Sequence, residues 1–471
     1  MLAFVGTGAL RAIYPYPIDG IEPGALQEVR RVIAGRPLYV APTLDYVPFI
    51  YGPLYFYLAA PVAALLGSEL LGLRTVSVLA SLGSLTLVAL LVQRETGSWA
   101  MGLVGSGLLA ASAPQVGALD VGRMDALQLS LLLAAVWAAR RACLEPGAGW
   151  RSAAACGGLM GLALLTKQSG TPLAVALLIA LVLGRRDLVP AFVLALGATL
   201  GGALLLLVAQ SGRWPLFYLW ELPRRHDIRL ELLPRFWDHL LARFTLPLVL
   251  GLLYPIGRFQ DGDRSRGVFY TTVSLGMLAT AWAAQSTVGG GRNVELPAFA
   301  MLSILFALEL HQARGLAGSY GIAIALAQFA ILVYNPRLVV PYRSDMWDGD
   351  RLTETLGAMP GPIFAGSYHG FLRQAPDAVA PDLGAMLELQ GAFGGVQTPE
   401  GEQWASQYVA ALQERRFTYL IVDPDVNAPM VVNLATELGY QHVGPLFPAN
   451  DIYWLWRTGW SPRAEVYARP Q

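Results

Sequence analysis

Eleven apolar runs dominate the chain, at 1–13, 71–93, 99–118, 124–139, 152–166, 171–183, 188–209, 243–257, 267–284, 295–311 and 317–334. A helix rises about 1.5 Å per residue, so about 20 apolar residues cross a hydrocarbon core of about 30 Å. Inside such a core every backbone N–H and C=O must be paired within the segment, and runs of this length meet that need as helices. The runs predict an all-α polytopic membrane domain of about eleven transmembrane helices. Several are short and must extend into flanking polar residues or tilt. The first is too short to cross, and no small-residue cleavage site follows it. It reads as a helix that has lost its N-terminal half through a late start codon. The aromatic stretch 50–67 is long enough to span, and counting it would invert the sidedness of everything after it.

Arginine distribution arbitrates. With 50–67 read as an interfacial helix, the short loops of one side hold Arg94; Arg140, Arg141 and Arg151; Arg185 and Arg186; Arg258, Arg264 and Arg266; and Arg314. Those of the other side hold Arg123, Lys167 and Arg292. The first side is therefore cytoplasmic. Residues 14–70 become a long outer loop with amphipathic pieces on the membrane, and Tyr14, Tyr16, Tyr39, Tyr46, Tyr51, Tyr55 and Tyr57 suit an interfacial belt. A second outer loop, 210–242, breaks the rule. Arg213, Arg224, Arg225, Arg229 and Arg235 lie there among Trp214, Phe217, Tyr218, Trp220, Phe236 and Trp237, which places it on the membrane surface. The chain divides into a membrane domain, 1–335, and a small extracytoplasmic α/β domain, 336–471. In the latter, 362–368 and 418–423 read as buried strands, and 400–414 and 428–438 as helices.

Only 14% of the residues are charged, against about 25% in soluble domains, and 33 basic residues balance 33 acidic ones. That balance excludes a soluble enzyme, a disordered chain and a basic nucleic-acid-binding face. Two cysteines, Cys143 and Cys156, make no disulfide framework. Charges at helix ends inside so apolar a chain are expensive and therefore informative. Asp19 and Glu22 follow the first run. They read as an N-cap with its capping-box partner, or as acids that take a hydroxyl proton or hold a divalent cation. Asp120, Arg123 and Asp125 lead into the fourth run. Asp125 is either a favourable acid at a helix N-terminus or a second carboxylate facing Asp19 across an outer cavity. Lys167 is the only lysine in the chain, either a snorkelling helix-end residue or a contact for phosphate. The stretch Thr287–Asn293 has three glycines and Arg292, a plain turn or a close backbone approach to an anion. Glu221, His226 and Asp227 read as a solvated loop surface or as metal ligands. No motif specifies a metal, and a divalent cation such as Mg or Mn is the one cofactor the acids leave room for.

In order and spacing these segments resemble the GT-C superfamily of membrane glycosyltransferases, and within it the protein O-mannosyltransferase-like family and the aminoarabinose transferase that modifies lipid A. The resemblance is carried by IDGIE (18–22), LQEVRRVIAGRPLY (26–39), YGPLYFYL (51–58), RMDAL (123–127), GLALLTKQSG (161–170) and GGGRN (289–293). It covers residues 1 to about 335. It implies a sugar carried on a polyprenyl monophosphate, moved to a hydroxyl of a lipid, polysaccharide or protein acceptor at the outer face of the cell membrane. It implies Asp19 as catalytic base or acceptor-orienting group and Asp125 as the second acid. The chain departs from the pattern twice: Gly20 stands where some relatives have a second acid, and Gly52 where the lipid A branch has a lysine. Lys167, Arg292, Arg224 and Arg225 are then the expected phosphate contacts.

A lipid or solute transporter, or a flippase, is the alternative that many helices and intramembrane charges allow. Against it stand the lack of an inverted repeat and the clustering of the acids on one face rather than at mid-membrane. A scaffold that only presents the C-terminal domain leaves two acids and a lone lysine at outer helix ends unexplained.

Overall fold

The computed structural model describes residues 1–287, 289–366, 368–372, 378–392, 397–422, 432–447 and 465–470. Its helices in chain order are α1 (Leu2–Ala12), α2 (Glu22–Ile33), α3 (Leu54–Leu66), α4 (Glu69–Thr96), α5 (Trp99–Val116), α6 (Asp125–Leu144), α7 (Trp150–Leu164), α8 (Thr171–Gly184) and α9 (Val189–Ser211), then α10 (Trp214–Leu216), α11 (Leu233–Gly251), α12 (Leu253–Gln260), α13 (Arg264–Gln285), α14 (Leu296–Gln312) and α15 (Arg314–Ile331). Every predicted apolar run carries a helix. Among the described residues, seven helical stretches are long and apolar enough to cross a membrane; α1, α3, α5 and α8 belong to shorter apolar ones. Starts are set by side chains that satisfy orphan N–H groups: Ser68 accepts from Leu71 N at 3.4 Å, and Asp263 accepts from Arg266 N at 3.1 Å.

The stretch ending in α14 is 83% buried while that ending in α9 is 11% buried, so the former is the central post and the latter an outer wall. The bundle has two unlike ends. At one, Arg140 reaches Glu95 (2.5 Å) and Glu145 (2.8 Å), Arg266 reaches Glu95 (2.7 Å) and Asp263 (2.7 Å), and Arg94 reaches Glu145 (3.0 Å). These are three of the arginines assigned above to one side, joined through shared carboxylates. The start of α6, with Asp125, lies about 30 Å away along a 20-residue helix.

Beyond the bundle lie α16 (Arg343–Ala358), α17 (Leu383–Leu389), α18 (Pro399–Gln413) and α19 (Asn433–Glu437), with strands β1 (Ile363–Phe364), β2 (Tyr419–Val422), β3 (Gln441–Pro445) and β4 (Glu465–Ala468). The sheet order is β1-β2-β4-β3. β1 is parallel to β2 (Ile363 opposite Tyr419), and β4 is antiparallel to both β2 and β3. Both predicted strands are present, shorter than expected. Ser367 and Asp423 of those predictions, and 428–431 of the predicted helix, lie outside the described residues. β3 and β4 were not foreseen.

Five of the seven tyrosines expected in an interfacial belt are buried instead, while Tyr57 is 39% exposed. Tyr14, Tyr16, Tyr39, Tyr46 and Tyr55 are 7% exposed or less. Each phenol is buried because its hydroxyl has an acceptor. Tyr14 donates to Asp345 O (2.9 Å), Tyr16 to Asp350 Oδ1 (2.5 Å), Tyr39 to Tyr51 O (2.7 Å), Tyr46 to Leu38 O (2.7 Å) and Tyr55 to Leu73 O (2.9 Å). Two of those acceptors belong to α16. Residues 14–66 are thus covered in part by the C-terminal α/β layer. One apolar core runs through both, joining Ala25, Val29 and Phe56 to Phe364, Leu383 and Trp404.

Candidate active site

The first anchor is Glu22, at the start of α2. Its Oε1 accepts from Arg74 Nε and Gly122 N, and its Oε2 from Arg74 Nη2 and Ile18 N, each at 2.7 Å. Both side chains of the Arg74–Glu22 pair are 0% exposed. Arg74 also donates to the carbonyls of Arg11 (3.0 Å), Tyr14 and Tyr16 (2.6 Å). Burial alone would raise the Glu22 carboxyl, but the Arg74 charge and the four hydrogen bonds hold it below the usual range. One ion pair thereby fixes two loops, 14–22 and 119–122. The expected capping box does not form: α2 begins at Glu22 with Ile21 as N-cap, because the Glu22 oxygens are occupied by Arg74 and two other N–H groups. The same occupancy removes Glu22 from the acids available to a cation.

The two pinned loops carry a chain of alternating charges. Asp19 Oδ1 accepts from Ile21 N (2.9 Å), and Arg123 Nη1 donates to Asp19 Oδ1 (3.2 Å) and Oδ2 (3.0 Å). Arg123 Nε donates to Asp125 Oδ2 (3.1 Å). Asp125 Oδ1 accepts from Lys167 Nζ (2.7 Å) and Asn293 Nδ2 (2.8 Å). Asp125 therefore does not face Asp19 across a cavity. Arg123 fills the space between them, since two carboxylates this close and this buried need a shared cation. The turn bearing Lys167 is fixed from below by Gln128 Nε2, which donates to Lys167 O (2.7 Å).

Arg123, Lys167 and Asn293 reach the wall of a cavity of about 490 Å³, which Tyr51, His226 and Glu388 also line. That volume lies within the range of small-molecule sites. Lys167 Nζ stands 5.6 Å from the centre of the Tyr51 ring. The aromatic stretch comes this close because Gly52 lies against the turn: a Cβ there would sit 2.0 Å from Leu165 O, which also accepts from Leu54 N (3.1 Å). Thr287, Gly289 and Gly290 form another wall, with Gly289 at φ +90°, a conformation suited to glycine. Val288 lies outside the described residues.

The loop 210–242 is a wall of the cavity as well as a surface segment. Arg229 N donates to Ser286 O (2.8 Å), joining it to the glycine turn. His226 contacts Glu388 on α17, and Arg213 contacts Glu400 on α18. Burial alone would lower His226, but the hydrogen bond and charge of Glu388 hold its pKa above the usual value. Arg224 and Arg225 are exposed and do not line the cavity, although their neighbours Pro223 and His226 do. Arg292 is also exposed; Asn293 takes the inward position. Glu221 and Asp227 are exposed, so they do not join His226 as metal ligands. Among the described residues, no group of three or more His, Cys, Asp or Glu is placed to hold a metal ion. Sequence reasoning did not name Tyr51, Asn293 or Glu388 as site residues.

Residues 48–211 match the sequence model of the dolichyl-phosphate-mannose-protein mannosyltransferase family. No curated protein matches the chain. Among solved structures, it is similar to ArnT from Cupriavidus metallidurans bound to undecaprenyl phosphate, at 13% identity and TM-score 0.58, covering 100% of this chain and 98% of that one. The apo form of ArnT gives 14% identity and TM-score 0.56, with 100% and 97% covered. The oligosaccharyltransferase AglB from Archaeoglobus fulgidus, with an inhibitory peptide and a dolichol-phosphate, gives 13% identity and TM-score 0.54, with 100% and 74% covered. Apolar spans around a central post, a charged site at one end and a small α/β layer above it thus fit into a known architecture. The chain has the fold of the GT-C superfamily of membrane glycosyltransferases.

Proposed function

We propose that the protein is a glycosyltransferase that moves a sugar from a polyprenyl monophosphate to an acceptor hydroxyl at the outer face of the cell membrane. One observation carries the reading. Four segments far apart in the chain bring Asp19, Arg123, Asp125, Lys167 and Asn293 into one hydrogen-bonded group, of which Arg123, Lys167 and Asn293 line a cavity. The ArnT structure in which a polyprenyl phosphate is bound has the same fold. The outward orientation follows from the arginine-rich loops, which lie at the opposite end of the bundle from this group.

The chemistry needs little beyond what is present. A glycosyl phosphate already carries a good leaving group. Lys167 and Arg123 hold the phosphate oxygens and offset the charge that grows on them, and Asp125, itself bonded by Asn293, keeps the lysine in place. Asp19 takes the proton of the acceptor hydroxyl. A carboxylate offers about four lone-pair sites, and Oδ2 of Asp19 retains capacity beside its bond from Arg123. The acceptor oxygen bonds to C1 as the C1–O bond to phosphate breaks, and the bonding pair leaves with the phosphate. A single displacement inverts the anomeric centre, as two-carboxylate logic gives for inverting hydrolysis.

The test is consumption of undecaprenyl-phosphate sugars by the purified full chain in detergent, with lipid, polysaccharide and peptide acceptors supplied. Wild type should turn over at least one donor. Asp19→Asn should lose about 100-fold or more, a usual size for general base catalysis, while its thermal unfolding stays close to wild type. Near wild-type turnover by Asp19→Asn would remove Asp19 as base.

A further inference from the structure

We propose that Glu388, held by His226, reads the hydroxyl groups of the donor sugar, so that the C-terminal α/β layer sets which sugar is transferred. This rests on the donor reading above and adds the part of the site that selects.

The cavity is chemically divided. Its cations and amide, Arg123, Lys167 and Asn293, come from the membrane bundle and suit a phosphate. A phosphate held there leaves the sugar, attached through C1, to fill the remaining space. Among the described residues that line this space, Glu388 is the only acid. It sits on α17 and is joined to His226 of the 210–242 loop. Both side chains are 15% exposed, so the pair is largely withdrawn from water. Tyr51 lines the same cavity as both the cations and Glu388, so the phosphate end and the acid open onto one space. An ionised carboxylate only accepts hydrogen bonds and has room for two adjacent hydroxyls. His226 fixes its rotamer, and a fixed acceptor distinguishes epimers because a misplaced hydroxyl leaves the buried oxygen unpaired. This acid cannot serve as the phosphate contact, whose charge it would repel. It also lies outside the Asp19 group, to which no hydrogen bond joins it among the described residues.

The experiment uses the full chain in detergent with undecaprenyl phosphate carrying glucose, galactose, mannose or arabinose. kcat/KM is measured for wild type, Glu388→Gln and His226→Gln, and binding of sugar-free undecaprenyl phosphate is followed by thermal shift. Binding of the sugar-free lipid should match wild type in both variants. The kcat/KM ratio between the best donor and the next should fall roughly 10- to 100-fold in Glu388→Gln, the size of one charged hydrogen bond, and by less in His226→Gln. If Glu388→Gln does not fold, the ratio in His226→Gln decides. An unchanged donor ratio overturns the inference, and so does a change confined to acceptor KM, which would make Glu388 an acceptor contact. If wild type consumes none of the donors, the transferase reading itself fails and this inference falls with it.

Discussion

Replacing Glu22 by Gln tests whether the Arg74–Glu22 pair holds the site together. The substitution keeps size and shape but removes the charge opposite a guanidinium that is 0% exposed. It also replaces one acceptor oxygen by an NH2 group, which then faces either Gly122 N or Ile18 N and the arginine behind it. Breaking a buried pair from one side costs about 3–5 kcal/mol, because the remaining charge is left uncompensated. The control is Glu69→Gln, which breaks the Arg30–Glu69 pair, whose side chains are 39% and 33% exposed. That pair is worth about 0–1 kcal/mol. In thermal unfolding of the detergent-solubilised chain, the midpoint should fall by roughly 3–10 °C for Glu22→Gln and by about 1 °C or less for Glu69→Gln. The Glu22 carboxyl is held below its ordinary range in the fold. Its contribution is therefore present above about pH 4.5 and is lost as pH falls through the lower folded value. The difference between wild type and Glu22→Gln should shrink in that acid range. Equal midpoints for Glu22→Gln and wild type at pH 7 would refute the claim that this pair pins the two loops.

Two further expectations follow from neighbouring groups. Burial pushes Glu28 up to about 8 and Asp382 up to about 7, so the fold favours their protonated forms. Stability from this source is complete below about pH 4 and is lost as pH rises through about 7–8; a pH series of thermal midpoints should show the decline, and Glu28→Gln with Asp382→Asn should flatten it. At the glycine turn, Asn293→Asp places a second carboxylate against Asp125 and should lower donor turnover by about 100-fold or more, whereas Arg292→Ala, at an exposed position, should change it less than about threefold, both read from initial rates.

The sequence is most legible where charge meets apolar helix. Lys167 and Asp125 were found by being expensive, and the structure brings them together. The same rule misled at the glycine turn. It chose Arg292 for its charge, but a helical start turns neighbouring side chains in different directions, and the neutral Asn293 points in. Gly52 reads in the sequence as a missing lysine. In the fold it is a contact between two backbones, which one chain segment cannot announce about another. The tyrosines were assigned to lipid by a rule for residues at a membrane boundary. For Tyr14 and Tyr16 the partner lies more than 300 positions away, in α16. Glu388 left no local signal for the same reason, since its partner His226 is 162 residues earlier.

That long-range covering also bears on how the chain is made. Tyr14 bonds across 331 residues, Gln27 across 353 and Thr43 across 361. Because a chain is synthesised from its N-terminus, the segment that follows α1 must wait for more than 300 further residues before its apolar side is closed. During that interval the bundle can assemble while 14–66 stays an unfinished surface, and the later-made α/β layer acts as its closing half. Residues 14–66 and the α/β layer therefore share one core written in two distant parts of the chain. A chimera that exchanges the layer between relatives without the first loop would inherit half a core.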